Sequence, residues 1–249
     1  MRPVIFDVTG IGTEEELRFQ VSETLKRGLP EVKEGLPKAG TLKVLANGPS
    51  AEACPLYGPT LALNGALGLF TRKGLAPAYW AACDPQELVA AFLSEAPKGT
   101  TYLVADKCHP KVFVALANHN VQTFHLNEIE TEGLRTGPTF FSGLSITMSI
   151  FAVMYWLGWR RFEVWGWDCC YYGAQSHAVS QEVPPGTVQI QVGNKLFCST
   201  PTWAAEAQAA LQFINMSGLD INIRGNGLLA EIWRNRAKVA FLSEEPLYA

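Results

Sequence analysis

From residue 41 onward the chain alternates between short apolar runs and longer stretches of helical periodicity, and this rhythm limits what it can fold into. The runs are LKVLA (42–46), TLALN (60–64), AYWAACD (78–84), TYLVAD (101–106), VQTFHL (121–126), FEVWGWD (162–168) and LDINIRG (219–225). Helical patterns lie between several of them, at 86–95, 110–118, 142–157 and 201–216. In the last of these Thr200 suits an N-cap, Pro201 the first helical position and Gly218 the stop. Trp203, Ala207, Leu211 and Ile214 keep one face of it apolar. Strands that carry so little charge need cover on both faces, and the intervening helices supply it. The expectation is an α/β fold: a Rossmann-like, doubly wound, mostly parallel sheet with helices on both faces. Composition agrees, with 17% charged and 48% apolar residues, where about a quarter charged is usual. The same deficit leaves room for a homo-oligomer interface.

The rhythm is absent from residues 1–40 and breaks once later. At the start, Thr13 and Glu16 form a capping-box pattern, and Leu17, Val21 and Leu25 share a helix face that ends at Gly28. GLPEVKEGLPKAG follows and reads as a linker, so 1–40 is expected to be an N-terminal helical appendage on a domain spanning 41–249. The later break is TVQIQVGNKLFCS (187–199), a hairpin pattern about Gly193-Asn194, preceded by AQSHAVSQEVPPG. An insertion at 173–199 is therefore expected to form a lid or an oligomer arm.

Several function classes drop out. A net charge of −3 without a basic block argues against nucleic acid. The most apolar segment, 144–159, is too short for a bilayer and holds Ser145, Thr147 and Ser149. MRPVIFDVTG lacks the apolar core of a signal peptide, so the expectation is a cytoplasmic protein with no membrane span. The six cysteines form no C-x-x-C and read as free thiols in a reducing compartment. The four histidines show no i,i+4 pair, which argues against a structural metal. No G-x-x-x-x-G-K-[ST] is present, and TGIGTEEE lacks the strand and third glycine of a dinucleotide fingerprint.

In an open α/β sheet, ligands sit beyond the carboxyl ends of the strands, near the point where strand order reverses. The first run is followed by Asn47, Gly48, Pro49 and Ser50. Gly48 lets a backbone approach a ligand without a Cβ in the way, and Ser50 can cap the next helix, whose free N–H groups attract an anion. The same four residues are also ordinary turn chemistry. Later runs end at Asn64-Gly65, Asp84-Pro85, Asp106 and Gly166-Trp167-Asp168. Carboxamides suit ribose or base edges, and carboxylates suit a ribose hydroxyl, Mg²⁺ or a proton; Asp84, Asp106 and Asp168 are the metal-ligand candidates. Ser142 and Gly143 open an apolar helix pattern whose N-terminus should face the same edge, as a cap or as a phosphate contact. Asp168 lies in the aromatic segment WGWDCCYYGAQSHA, and His177, in its polar end, suits proton transfer near neutral pH. His109 is a weaker candidate of the same kind, while His119 and His125 read as structural or surface residues.

Taken in order, VLANGPS after a strand, SG opening a helix that ends LGW, the segment GWDCCYYGAQSHA, and IRGNGLLAEI at 223–232 resemble one superfamily. It comprises the archaeal 6-hydroxymethylpterin diphosphokinases (MptE-like proteins), the bacterial motility accessory factors and the sialyltransferases of bacterial lipooligosaccharide. The resemblance spans residues 41–232 and implies a nucleotide-binding fold with group transfer from a nucleotide donor. Carried over by position, Asn47, Gly48 and Ser50, with Pro49 between them, would meet the donor's phosphates or ribose. Asn64 would take its sugar or phosphate, and Ser142 and Gly143 would line the phosphate side. Asp84 and Asn226 join the nucleotide-binding set as strand-end residues, and Asp168 would sit at the reaction centre or hold a metal. The sialyltransferases place a catalytic histidine in the lid, shortly before the helix corresponding to 201–216. This chain has LFCSTPTW there, leaving His177 as the candidate replacement. Three readings follow. The leading one is diphosphate transfer from ATP with Mg²⁺ to a small hydroxylated acceptor, because the core spacing without a lid histidine matches the diphosphokinases best. Its requirement for cations is met only by Lys107 and Arg135. The second is metal-free transfer from a CMP-activated sugar to a glycan acceptor, with His177 as base. The third is a nucleotide-binding module without catalysis.

Overall fold

The structure, a computed structural model, describes residues 12–135, 137–180 and 188–236. Its strands are β1 (Leu42–Leu45), β2 (Thr60–Leu63), β3 (Tyr79–Ala82), β4 (Thr101–Ala105), β5 (Asn120–Phe124), β6 (Arg161–Trp165), β7 (Val188–Val192), β8 (Lys195–Ser199) and β9 (Asp220–Ile223). The helices are α1 (Glu14–Lys26), α2 (Leu67–Thr71), α3 (Pro110–Ala115), α4 (Ile146–Trp156), α5 (Pro201–Ser217) and α6 (Leu228–Asn235). Each of the seven apolar runs forms a strand, and all seven pair in parallel in the order β5-β4-β3-β2-β1-β6-β9. The side chains of β2 are buried throughout, as the unbroken apolar run requires. Trp80, Tyr102, Phe70, Phe124, Phe151 and Phe162 are the largest fully buried side chains of the core.

Strand order reverses at β1. The chain steps outward from β1 to β5, then α4 carries it back to β6 on the other flank of β1. The crevice for a ligand therefore opens where β1 and β6 end.

The capping box at Thr13 and Glu16 forms as expected, and so do the Thr200 cap, Pro201 start and left-handed Gly218 stop of α5. Two helix patterns come out differently. Residues 86–95 give a 3₁₀ helix over Glu87–Leu93, confined between Pro85 and Pro97, where too little chain remains for a cooperative α-helix. The apolar helix begins at Ile146, with Ser145 extended as its N-cap, so Ser142 and Gly143 do not open it. Side-chain bonds hold them back: the Ser142 hydroxyl donates to Glu128 (2.9 Å), and the Gly143 amide donates to the Ser149 hydroxyl in the first turn of α4 (2.9 Å).

Residues 29–40 lie against the sheet. The amide of Val32 donates to the Thr123 carbonyl and that of Thr123 to Pro30, at 2.9 Å each, which adds a bridge to the β5 edge. Val32 is buried in the main core, and Gly35 passes so close to the Leu157 carbonyl that a Cβ there would sit 2.6 Å from it. The antiparallel hairpin of β7 and β8 forms about Gly193-Asn194, and the Tyr171 amide ties it to the loop after β6 by donating to Cys198. Among the described residues no helix is long and apolar enough to cross a membrane.

Candidate active site at the reversal of strand order

The loops leaving β1 and β6 are locked together through Gly48 and Asp168. The Gly48 amide donates to the Gly166 carbonyl at 2.8 Å. A Cβ on Gly48 would stand 2.4 Å from that oxygen and 2.5 Å from Asp168 Oδ2, so the approach demands glycine. The next residues, Pro49–Ala53, form a 3₁₀ turn in which the Ser50 amide donates to Asp168 Oδ2 (2.8 Å) and the Ser50 hydroxyl accepts from the Gly166 amide (2.9 Å). The Tyr172 hydroxyl donates to Asp168 Oδ1 (3.3 Å) and accepts from the Asn226 amide (3.0 Å), joining the end of β9 to the same carboxylate. Asp168 is buried, and burial pushes its carboxyl pKa up while the bonds from Ser50 and Tyr172 pull partly back.

Beside this knot lies a cavity of about 160 Å³, whose polar walls include Asn47, Asn64, Asp168, His177 and Glu206. Asn47 Oδ1 accepts from the Val179 amide and its Nδ2 donates to the Val179 carbonyl, both at 3.0 Å. This paired contact holds the loop bearing His177 over the cavity. Asn64 stands at φ 45°, in the left-handed region, and its Oδ1 is buried without a hydrogen-bond partner. An acceptor left unpaired in a cavity wall marks a place where a ligand donor belongs. His177 Nδ1 is 3.0 Å from the Ser176 hydroxyl, and its ring stands edge-on to Trp203 with centroids 5.7 Å apart. Burial pulls its pKa down to about 4, so the imidazole is neutral at pH 7. Glu206, one turn beyond Trp203 on α5, accepts from the Trp167 indole at 2.7 Å. Burial pushes its carboxyl up, and the hydrogen bond from Trp167 only partly offsets that. Glu206 was not among the expected site residues. The signal available was its position: it is the only acidic residue in α5 and shares a face with Trp203.

No protein-family model matches the chain, and no curated protein matches it. A solved structure does share its fold. The MAf glycosyltransferase from Magnetospirillum magneticum AMB-1 superposes with a TM-score of 0.60 at 14% identity, covering 92% of this chain. The chain spans 42% of that protein's length. At this identity the likeness is one of fold, the seven-stranded α/β architecture.

The remaining expected residues are spread more widely. Pro49, Ser50 and Asn226 line a second, larger cleft next to Tyr172. Asp84 lines neither space, and its Oδ1 accepts from the Gln86 amide (2.9 Å) as an ordinary turn. Ser142 and Gly143 also line neither. Asp106 is buried under β4 and β5 in contact with His125 Nδ1 (2.9 Å) and Arg135 Nε (2.5 Å). Lys107 pairs with Glu128 at 2.5 Å. Both cations nearest the motifs in sequence are thus held by carboxylates. Among the described residues no group of three or more His, Cys, Asp or Glu is placed to hold a metal. Asp84 and Asp168 share no cavity, and Asp168 already accepts at both oxygens, so these residues do not fit a protein-bound Mg²⁺.

Proposed function

We propose that this chain is a nucleotide-dependent transferase that moves a glycosyl group from a nucleotide-activated sugar to a hydroxyl acceptor. The observation that carries the reading is the lining of the 160 Å³ cavity: two carboxyls with raised pKa values and a neutral imidazole, with no lysine or arginine among the described residues. Such a lining suits moving a proton off a hydroxyl. It does not suit neutralising a polyphosphate, so it favours glycosyl transfer over the diphosphate transfer from ATP that the motifs also imply. The fold shared with a glycosyltransferase supports the same choice.

In this reading the acceptor oxygen bonds to the anomeric carbon while its proton passes to a base. The bond from that carbon to the donor's phosphate oxygen breaks, and its electron pair leaves on the phosphate. Glu206 is the better base. Its partner Trp167 is neutral and its pKa is raised, whereas His177, at about 4, has little proton affinity, and the Asp168 oxygens are engaged. His177 orients the acceptor, and Asp168 positions the Ser50 loop.

Transfer is measured by release of free nucleotide from CMP- and UDP-sugars in the presence of hydroxylated acceptors. Glu206→Gln is expected to lower kcat about 10²–10⁴-fold with little change in KM. The acid limb of the wild-type pH–rate profile is expected above the ordinary carboxylate range and to be lost in the variant. Release that needs ATP and Mg²⁺ instead, or a variant with the wild-type profile, rules the proposal out.

A further inference from the structure

Tyr172 stands between the reaction cavity and a second cleft of about 650 Å³ that the proton chemistry above leaves unused. The walls of that cleft carry Arg224, Arg234, Arg236, Trp165, Trp233 and Tyr172. We infer that this cleft holds the nucleoside phosphate of the donor, an inference that rests on the proposed glycosyl transfer. Size points to it first. Small-molecule sites run from about 300 to 1,000 Å³, so the larger cleft accommodates a nucleoside phosphate and the 160 Å³ cavity does not. The smaller space suits the transferred sugar ring or the acceptor hydroxyl.

Charge points the same way. The chain is net acidic, yet among the described residues three arginines line this cleft against the single glutamate Glu52, while the reaction cavity has no cation. Arg224 gives one nitrogen to Glu163 at 2.9 Å, while Arg234 gives one to Glu231 at 2.9 Å and the other to the Gly225 carbonyl and Asn226 Oδ1. A guanidinium has five N–H donors, and the Arg224 side chain is 45% exposed, so it keeps donors for a phosphate. The two tryptophans and the tyrosine offer ring faces and edges for a base.

Connectivity completes the argument. The loop after β9 lies directly on the loop after β1: a Cβ on Gly225 would stand 2.4 Å from Ser50 Oγ. A phosphate placed against Ser50 and Tyr172 therefore puts the bond to be broken beside Asp168, with the sugar directed toward Asn64, His177 and Glu206.

The test is binding of CMP, UDP and ATP to the full chain by calorimetry, with free N-acetylneuraminate as an acidic-sugar comparator. A nucleotide is expected to bind. Arg224→Gln and Trp233→Leu are expected to weaken it tenfold or more, and Asn64→Ala less than twofold. If Trp233→Leu fails to fold by circular dichroism, Arg224→Gln decides alone, because its side chain is half in solvent. The inference is overturned if no nucleotide binds, if Asn64→Ala weakens binding and Arg224→Gln does not, or if the acidic sugar competes more strongly than any nucleotide. The transfer reading is judged separately: nucleotide binding in this cleft without sugar transfer would sink that reading and leave the inference standing.

Discussion

A carboxylate withdrawn from water persists only where donors replace the lost hydration, and Asp168 has the Ser50 amide on one oxygen and the Tyr172 hydroxyl on the other. Those two donors lie in loops after different strands, so one side chain fixes the geometry of the crevice. Asp168→Ala leaves a buried amide without its acceptor and is expected to cost about 2–4 kcal/mol in urea denaturation. Asp168→Asn retains an acceptor oxygen and is expected to lose less than half as much. Equal losses would mean the residue only fills space. Asp168, Asn47 and Asn64 were legible in the sequence because each follows a strand end, where the architecture itself places ligands. Glu206 was not. It lies inside an amphipathic helix, and only the tertiary fold brings its carboxyl to the Trp167 indole.

The loop 176–179 shows how one element is held by another. Asn47 grips Val179 through both of its amide atoms, and the Ala178 amide donates to the Asn47 carbonyl at 2.7 Å. The side-chain carboxamide thus imitates a backbone partner and closes the loop without a strand. Asn47→Ala removes both side-chain bonds to Val179 and is expected to speed amide exchange at Val179 at least tenfold, leaving β1 protected. Exchange unchanged at Val179 would show that the loop is held by other contacts. The strands themselves were readable from their apolar runs, since parallel strands covered on both faces permit little else. The start of α4 was not readable: Ser142 and Gly143 resemble a helix opening, and only the folded geometry brings the Ser142 hydroxyl to Glu128 and the Gly143 amide to the Ser149 side chain.

At the scale of the whole molecule, the segment before β1 is the part whose sequence says least about its placement. GLPEVKEGLPKAG has the composition of a linker because its hydrogen bonds and its one buried side chain, Val32, find partners far away in the chain. One of those attachments carries a charge that titrates. His125, buried beneath it, has Nδ1 2.9 Å from Asp106 Oδ2 and Nε2 3.1 Å from Glu31 Oε1, and Arg135 shares the Asp106 carboxylate. Burial opposes the imidazolium, but the hydrogen bonds and charges of Asp106 and Glu31 outweigh it, so the pKa rises above its ordinary value. A histidine raised in the folded state adds stability that is full below the unfolded pKa of about 6.5 and is lost as pH climbs through the folded value. Melting temperature is therefore expected to fall between pH 6 and pH 8.5 by about 2–4 °C more in the wild type than in His125→Gln. Exchange in residues 31–33 should rise over the same interval in the wild type, because the lost charge releases Glu31. Parallel pH dependence in the two proteins would mean that His125 stays neutral throughout and that the segment is anchored by Val32 and the backbone bridge to Thr123 alone.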